Sequence, residues 1–199
     1  HILWTTIAAF LLVGFEGWLG GRVVAHELAA WIVTAHLIVA IIIVQLLLYA
    51  TYASGVTSAK SATGAKGATG AIAVLIALTL LQAGVGMQVR GAVDHALDSG
   101  IARELAIGTV GRLDFIHRDL AFVVLMAATV VTLWLLSKRS PLVSWAFVVL
   151  ALAGLQIAVG LYMAYGYLLP AAQVAHLTVS SLLLGAETVL WLNSRSRTV

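Results

Sequence analysis

The chain contains no cysteine, which excludes disulfides, thiolate-ligated iron and thioether attachment of a cofactor. Charge is also scarce. Only 10% of the residues are charged against 62% hydrophobic, and the mean hydropathy of +1.06 lies far outside the soluble globular range. The net charge of +3 comes from basic residues dispersed in pairs, not gathered on one face, so no nucleic-acid footprint is present. The alternation of a β-barrel is absent as well, which leaves helices as the only way for a spanning backbone to satisfy its own hydrogen bonds. Glycines abound in 54–70, SGVTSAKSATGAKGATG, but no Gly-Lys-Ser/Thr sequence follows, and a phosphate-cradling loop is dismissed. No signal peptide is visible and the chain opens on His1, so an N-terminal part is expected to be missing.

What is present is a set of apolar runs of about 20 residues, the length that crosses a bilayer. Six are found, at about 2–21, 30–53, 70–89, 116–136, 142–164 and 171–192, and an all-α polytopic membrane protein is expected. Lys60 and Lys66, Lys138 and Arg139, and Arg195 and Arg197 lie in three segments without an acid, which places those segments on the cytoplasmic side. The opposite loops mix signs: Arg22 with Glu27, then Arg90, Asp94, Asp98, Arg103, Glu104, Arg112 and Asp114. Aromatic belts agree, with Trp4, Trp134, Trp145 and Trp191 near inner ends and Trp18, Trp31, Tyr162, Tyr165 and Tyr167 near outer ends.

The small polar residues of 54–69 mark a flexible cytoplasmic linker. It separates a transmembrane hairpin, 1–53, from 70–199, whose four spans suffice for a helix bundle. A lone hairpin does not suffice, and this again points to an absent first hairpin. The longest outer loop, about 91–115, reads as solvated. The spacing of Ile101, Leu105 and Val110 offers a short amphipathic helix as the alternative.

A small pattern occurs three times. Glu16-x-x-x-Gly20 precedes His36, Gln82-x-x-x-Gly86 precedes His117, and Gln156-x-x-x-Gly160 precedes His176; the first and third share their spacing, since 36 − 20 and 176 − 160 both equal 16. Each histidine opens a span that runs inward, so all three imidazoles are expected at similar depth. Imidazole is costly in lipid and is the usual ligand of heme iron. Two such helices facing each other could hold a six-coordinate b-type heme, with Gly84, Gly86, Gly154, Ala158 and Gly160 leaving room for porphyrin and close packing. The bland alternative for each histidine is a hydrogen bond that glues helices, and for His36, whose partner is absent, the two readings weigh equally. Arg90 and Arg118 stand at the outer interface, where they would pair with heme propionates or snorkel to headgroups. Gln82 and Gln156 read as bonds between helices. Glu16, in the matched place, can ionise and is more suggestive. His26 and His95 read as solvated loop residues, and Glu187 and Gln45 receive no role.

The stretches GWLGGRVVAHELAAWIVTAHLIVA (17–40), LLQAGVGMQVRGAVDHA (80–96), DFIHRDLAFVVL (114–125) and LQIAVGLYMAYGYLLPAAQVAHL (155–177) resemble the heme A synthase family, in order and over essentially the whole chain. Members have eight transmembrane helices in two pseudosymmetric four-helix halves, and this chain is similar to helices three to eight. The resemblance implies a C-terminal half that holds heme b between His117 and His176, and an N-terminal half whose substrate heme is ligated in part by His36. It implies oxidation of a ring methyl of heme O to the formyl of heme A, with electrons relayed by heme b. The catalytic acid and the second N-terminal histidine of the family would lie before residue 1.

The resemblance further implies a bacterial cytoplasmic membrane, in which the charge pattern makes residues 54–69, 137–141 and the C-terminus cytoplasmic. Heme O and membrane lipids are the implied partners, with heme O synthase, respiratory-complex proteins and a homo-oligomer left open. A different class competes: a non-catalytic b-type cytochrome or accessory membrane subunit of a respiratory or photosynthetic complex. The discriminating feature is an outer-loop acid and a further histidine ahead of His1. A transporter is disfavoured because the ionisable groups cluster at span ends and not at the midplane.

Overall fold

The computed structural model describes residues 2–26, 30–55, 67–166 and 168–195. His1, Glu27, Lys60, Lys66, Tyr167 and Arg197, all used in the sequence reading, and most of the 54–69 segment lie outside the described residues. The chain divides into two compact units, His1–Lys60 and Ser61–Val199. Among the described residues every regular element is helical.

The first unit is a hairpin of α1, Ile2–Ala25, packed on α2, Ala30–Ala53. The second contains α3, Ala68–Asp98; α4, Arg103–Ala106, followed by a 3-10 turn at Ile107–Thr109; α5, Arg112–Ser137; α6, Val143–Tyr165; and α7, Pro170–Ser194. Six of these helices are long and apolar enough to cross a membrane, and the protein is a polytopic all-α membrane protein. Pro170 opens α7, where its missing N–H costs nothing. Gly67 precedes α3 at φ 107, and a Cβ there would meet the Trp134 ring at 3.1 Å.

In the second unit α3 packs on α5, α5 on α6, α6 on α7, and α7 closes the ring on α3. Thus α5 and α7 are diagonal to each other. The buried seam steps alternately by four and three residues, the register of helices packed side by side. It reads Ala68, Ile72, Leu75, Thr79 on α3; Val124, Ala128, Val131, Leu135 on α5; Ala146, Val149, Ala153 on α6; and Val179, Leu183, Ala186, Leu190 on α7. Most of these side chains form one apolar cluster in the half of the bundle away from the histidines. Outward faces stay apolar too: Phe122, Met126, Val130 and Leu133 are all exposed along α5, as a surface solvated by lipid requires.

Two expectations need correction. Residues 91–98 are not loop but the continuation of α3, which runs about six turns past the end of the dry cluster, so His95 is an exposed helical residue. The cause is visible in Val93, Ala96 and Leu97, spaced to form an apolar face that packs with Ala106, Ile101, Ile107, Val110, Met163 and Leu168. The short helix α4 exists, yet Leu105 is exposed and Ala106 is its buried residue. Trp134 and Trp191 lie in the last turns of α5 and α7, half-buried against the main cluster. Trp4, Trp18, Trp31, Trp145, Tyr162 and Tyr165 are exposed.

Candidate functional site

The seam that builds the dry cluster continues toward the histidines without a change of register. On α3 it goes on from Thr79 to Gln82, Gly86, Val89 and Val93; on α5, His117 stands seven residues before Val124; on α6, Gln156 and Gly160 follow Ala153; on α7, His176 lies between Ala172 and Val179. In the first unit His36 falls between Ile32 and Ile43, both buried, in the same rhythm. Each polar residue of the repeated pattern therefore occupies a core position, where the seam would otherwise place an aliphatic side chain.

The glycines explain the pattern. A Cβ added at Gly86 would lie 2.9 Å from His117 Cε1, one at Gly160 would lie 3.3 Å from His176 Cε1, and one at Gly20 would lie 3.4 Å from His36 Cε1. Each histidine thus lays its ring on the bare backbone of the preceding helix. Gly86 and Gly160 are filled by imidazole and do not make room for porphyrin, whereas a Cβ at Gly84 or Gly154 would meet nothing within 4 Å.

The polar residue one turn before each glycine reaches the same histidine in a different way. Glu16 Oε1 is 3.0 Å from His36 Nδ1. Gln156 Nε2 is 3.0 Å from His176 Nε2, and Gln82 Nε2 donates to the backbone carbonyl of His117 at 2.8 Å. Gln82 and Gln156 do bond between helices. The far oxygens Glu16 Oε2, Gln82 Oε1 and Gln156 Oε1 are buried without a hydrogen-bond partner, as is Nδ1 of all three histidines, so the approach of Glu16 to His36 is a close contact of charge and not an aligned hydrogen bond.

His117 and His176 come from the diagonal helices α5 and α7 and face each other across the bundle, with ring centres 6.4 Å apart and planes at 63°. Metal–imidazole bonds are about 2 Å long and each ring centre lies roughly 1 Å behind its nitrogen, so two rings on one metal stand about 6 Å apart. The two rings match that span. Among the described residues no group of three or more His, Asp or Glu could hold a bare ion. The donor set suits a macrocycle that brings its own equatorial nitrogens and needs only two axial ligands. The surroundings agree: Gln82 to Met87, His117, Gln156 and His176 form a half-buried band between the dry cluster and the outer cluster around Val93 and Leu168.

Arg118 lies on α5 next to His117, its Nη2 2.6 Å from Asp114 Oδ2 and its guanidinium 6.0 Å from the Tyr165 ring centre. Arg90 Nε is 3.4 Å from Asp94 Oδ2. Both arginines thus already hold a carboxylate, each from the residue four positions away. His26 is exposed and contacts Arg22.

The sequence reading missed one polar pair. Glu187, given no role, is fully buried on α7, and its Oε1 accepts a hydrogen bond of 2.7 Å from Thr79 Oγ1 on α3, while Oε2 has no partner. It sits 11 residues after His176, about 16 Å along the helix.

No curated protein and no solved structure matches the chain. A family described as cytochrome oxidase assembly protein, COX15-CtaA, matches residues 1–188. That span takes in all six long helices except the last turns of α7, and with them every histidine, glutamine and glycine of the repeated pattern. The chain belongs to this cytochrome oxidase assembly family, the family of the heme A synthases.

Proposed function

We propose that the protein works as a heme A synthase-like oxidoreductase, which converts a ring methyl of heme O to the formyl group of heme A, and that His117 and His176 are the residues that would hold a heme b. The observation that carries this reading is the 6.4 Å between two imidazoles brought together from diagonal helices. A heme b held there would supply one-electron exchange, which the conversion requires, since turning the methyl to a formyl with oxygen from water releases four protons and four electrons to an acceptor outside this chain. The residues of this chain supply the rest. Gly86 and Gly160 let the rings lie close to the neighbouring helix, and Gln82 fixes the backbone that carries His117. Gln156 holds the His176 ring. The flanking apolar clusters keep water from the layer between them.

Arg118 and Arg90 are the proposed propionate partners. Their present pairing with Asp114 and Asp94 is the same charge-assisted contact that a propionate makes. His36 is the proposed ligand for substrate heme O. The charge pattern supports a cytoplasmic position for residues 54–69 and 137–141 and the C-terminus, and the family resemblance supports the bacterial cytoplasmic membrane.

The ligand assignment is tested by absorption spectra of purified His117→Ala and His176→Ala. Each variant should lose the low-spin b-type spectrum, and retention of the full spectrum by either one sinks the assignment. For the reaction, cells lacking the intact gene should accumulate heme O. Unchanged heme A there favours a non-catalytic b-type cytochrome.

A further inference from the structure

His176 stands near the start of α7, and that start is fastened without a capping side chain. Pro170 opens the helix with no N–H to offer, and Leu169 before it has no side-chain oxygen for the first turn. Gln173 does the fastening instead, at two successive carbonyls. Its backbone N–H donates to Leu169 O at 3.1 Å, and its side-chain Nε2 donates to Leu168 O at 2.7 Å. Leu168 is itself held in the left-handed region, at φ 51°, which residues with a side chain rarely adopt. Three contacts keep it there. Its side chain is buried in the outer cluster with Val93, Ala96 and Ala106, and its N–H donates to Met163 O on α6 at 3.3 Å. Arg103 Nη1 of α4 adds a longer bond, 3.4 Å, to the same carbonyl that Gln173 holds. The end of α6, the outer cap and the start of α7 therefore meet at one residue, and the Gln173 side chain joins α7 to it.

We propose that Gln173 is a positioning residue for His176: its side-chain bond to the Leu168 carbonyl fixes the rotation of α7 about its own axis, and with it the angle at which the His176 ring meets His117. This inference rests on the reading of His176 as a heme ligand. His176 follows Gln173 by three residues, so the two side chains share a face and less than one turn lies between the pin and the ligand. A roll of about 10° moves a Cα, ~2.3 Å from the axis, by about 0.4 Å, and the ring beyond it by more. That approaches the error, about 0.5 Å or 10–20°, at which a preorganised site loses its geometry. The opposing ring is fixed in another way, since Gln82 of α3 bonds the His117 carbonyl directly at 2.8 Å. The 63° between the two ring planes is thus set at two main-chain carbonyls, one on α5 and one just ahead of α7. Gln156 restrains the His176 ring itself, and Gln173 restrains the helix that carries it.

The test uses the full-length membrane protein purified with heme B bound, and follows by low-temperature EPR the ferric low-spin signal that disappears in His176→Ala. The g values of that signal report the angle between the two axial ring planes. Gln173→Glu is isosteric, but an ionised carboxylate accepts hydrogen bonds and donates none, so the bond to Leu168 O is lost at constant volume. Gln173→Leu removes the same bond without adding charge. Both variants should keep the low-spin signal and shift its largest g value in the same direction. Thr178→Val, which deletes a bond made within α7 two residues past His176, should leave the g values where they were. A merely structural bond at Gln173 would lower thermal stability without moving the g values. Unchanged g values in the Gln173 variants, a shift in only one of two that retain heme, or an equal shift in Thr178→Val overturns the role of Gln173 and leaves the heme reading standing. If every heme signal survives His176→Ala, the reading of His176 as a ligand falls and this inference falls with it.

Discussion

The α1–α2 hairpin and the α3–α7 bundle solve the same packing problem with different chemistry. In both, a histidine at a seam position lies over a glycine of the preceding helix, with a polar residue one turn earlier. In the hairpin that residue is the acid Glu16, whereas in the bundle it is Gln82 or Gln156. The fit also tightens from 3.4 Å at Gly20 through 3.3 Å at Gly160 to 2.9 Å at Gly86. The comparison separates two roles. Glycine sets where a ring can sit, and the polar residue one turn earlier meets the histidine at a different atom in each case.

Methyl groups added at the three glycines probe the first role, and the largest effect is expected at Gly86. Gly→Ala in a helix gains about 1 kcal/mol of intrinsic propensity, while forcing atoms into a filled contact costs about 1–3 kcal/mol. At Gly86 the clash with His117 dominates, so Gly86→Ala should lose most of its low-spin heme, read from the absorption spectrum per protein. Gly160→Ala should lose a smaller share. Gly20→Ala adds only an ordinary contact and should leave thermal stability within about 1 kcal/mol of the parent, since propensity offsets the packing strain. Equal heme retention in all three would break the link between the glycines and the histidines.

Removing a polar partner should cost less than adding a clash. Gln156→Leu deletes the hydrogen bond to His176 and leaves the seam apolar, so heme should bind more weakly without being lost. A decrease in heme retention during dilution, without loss of the spectrum at saturation, is the expected result. Gln82→Leu frees a backbone carbonyl instead of a ring, and its spectrum at saturation should be unchanged. An equal loss of heme retention on dilution in Gln82→Leu and Gln156→Leu would erase the distinction between anchoring the backbone and holding the ring.

The six spans were legible because apolar length alone decides them, and the 30–53 span agrees with α2 to the residue. The histidines, their glycines and their matched spacing were legible as repetition. What each glycine does was not, because the ring it accommodates lies 16 or 31 residues away on another helix. The extension of α3 was written in Val93, Ala96 and Leu97, but the charges around them masked it. Helices do not end where hydrocarbon ends. Arg90 and Asp94 even pair along the same helix. Thr79 and Glu187 are separated by 108 residues, and no local signal could join a threonine on the third helix to an acid on the last.

That last pair gives the smallest and sharpest contrast with Glu16. Both are acids at core positions of α-helices, yet Glu16 faces an imidazole and Glu187 faces only a hydroxyl. Among the described residues the spans beyond Asp119 on α5, before Arg90 on α3 and before Tyr162 on α6 bring no other charged or titratable side chain to the seam. Buried in the dry half of the bundle, Glu187 links α7 to α3 through Thr79. Polar bonds between membrane helices average about 0.6 kcal/mol and reach about 1.7, because a separated helix also finds partners in the membrane. A double-mutant cycle of Thr79→Val and Glu187→Leu should therefore give a coupling of about that size in thermal or detergent unfolding, with the heme spectrum unchanged in every member. A coupling near zero would reduce the pair to mere proximity. A change in the spectrum would mean that the dry half is not independent of the histidine layer, and the division of the seam into a packing half and a ligating half would have to be redrawn.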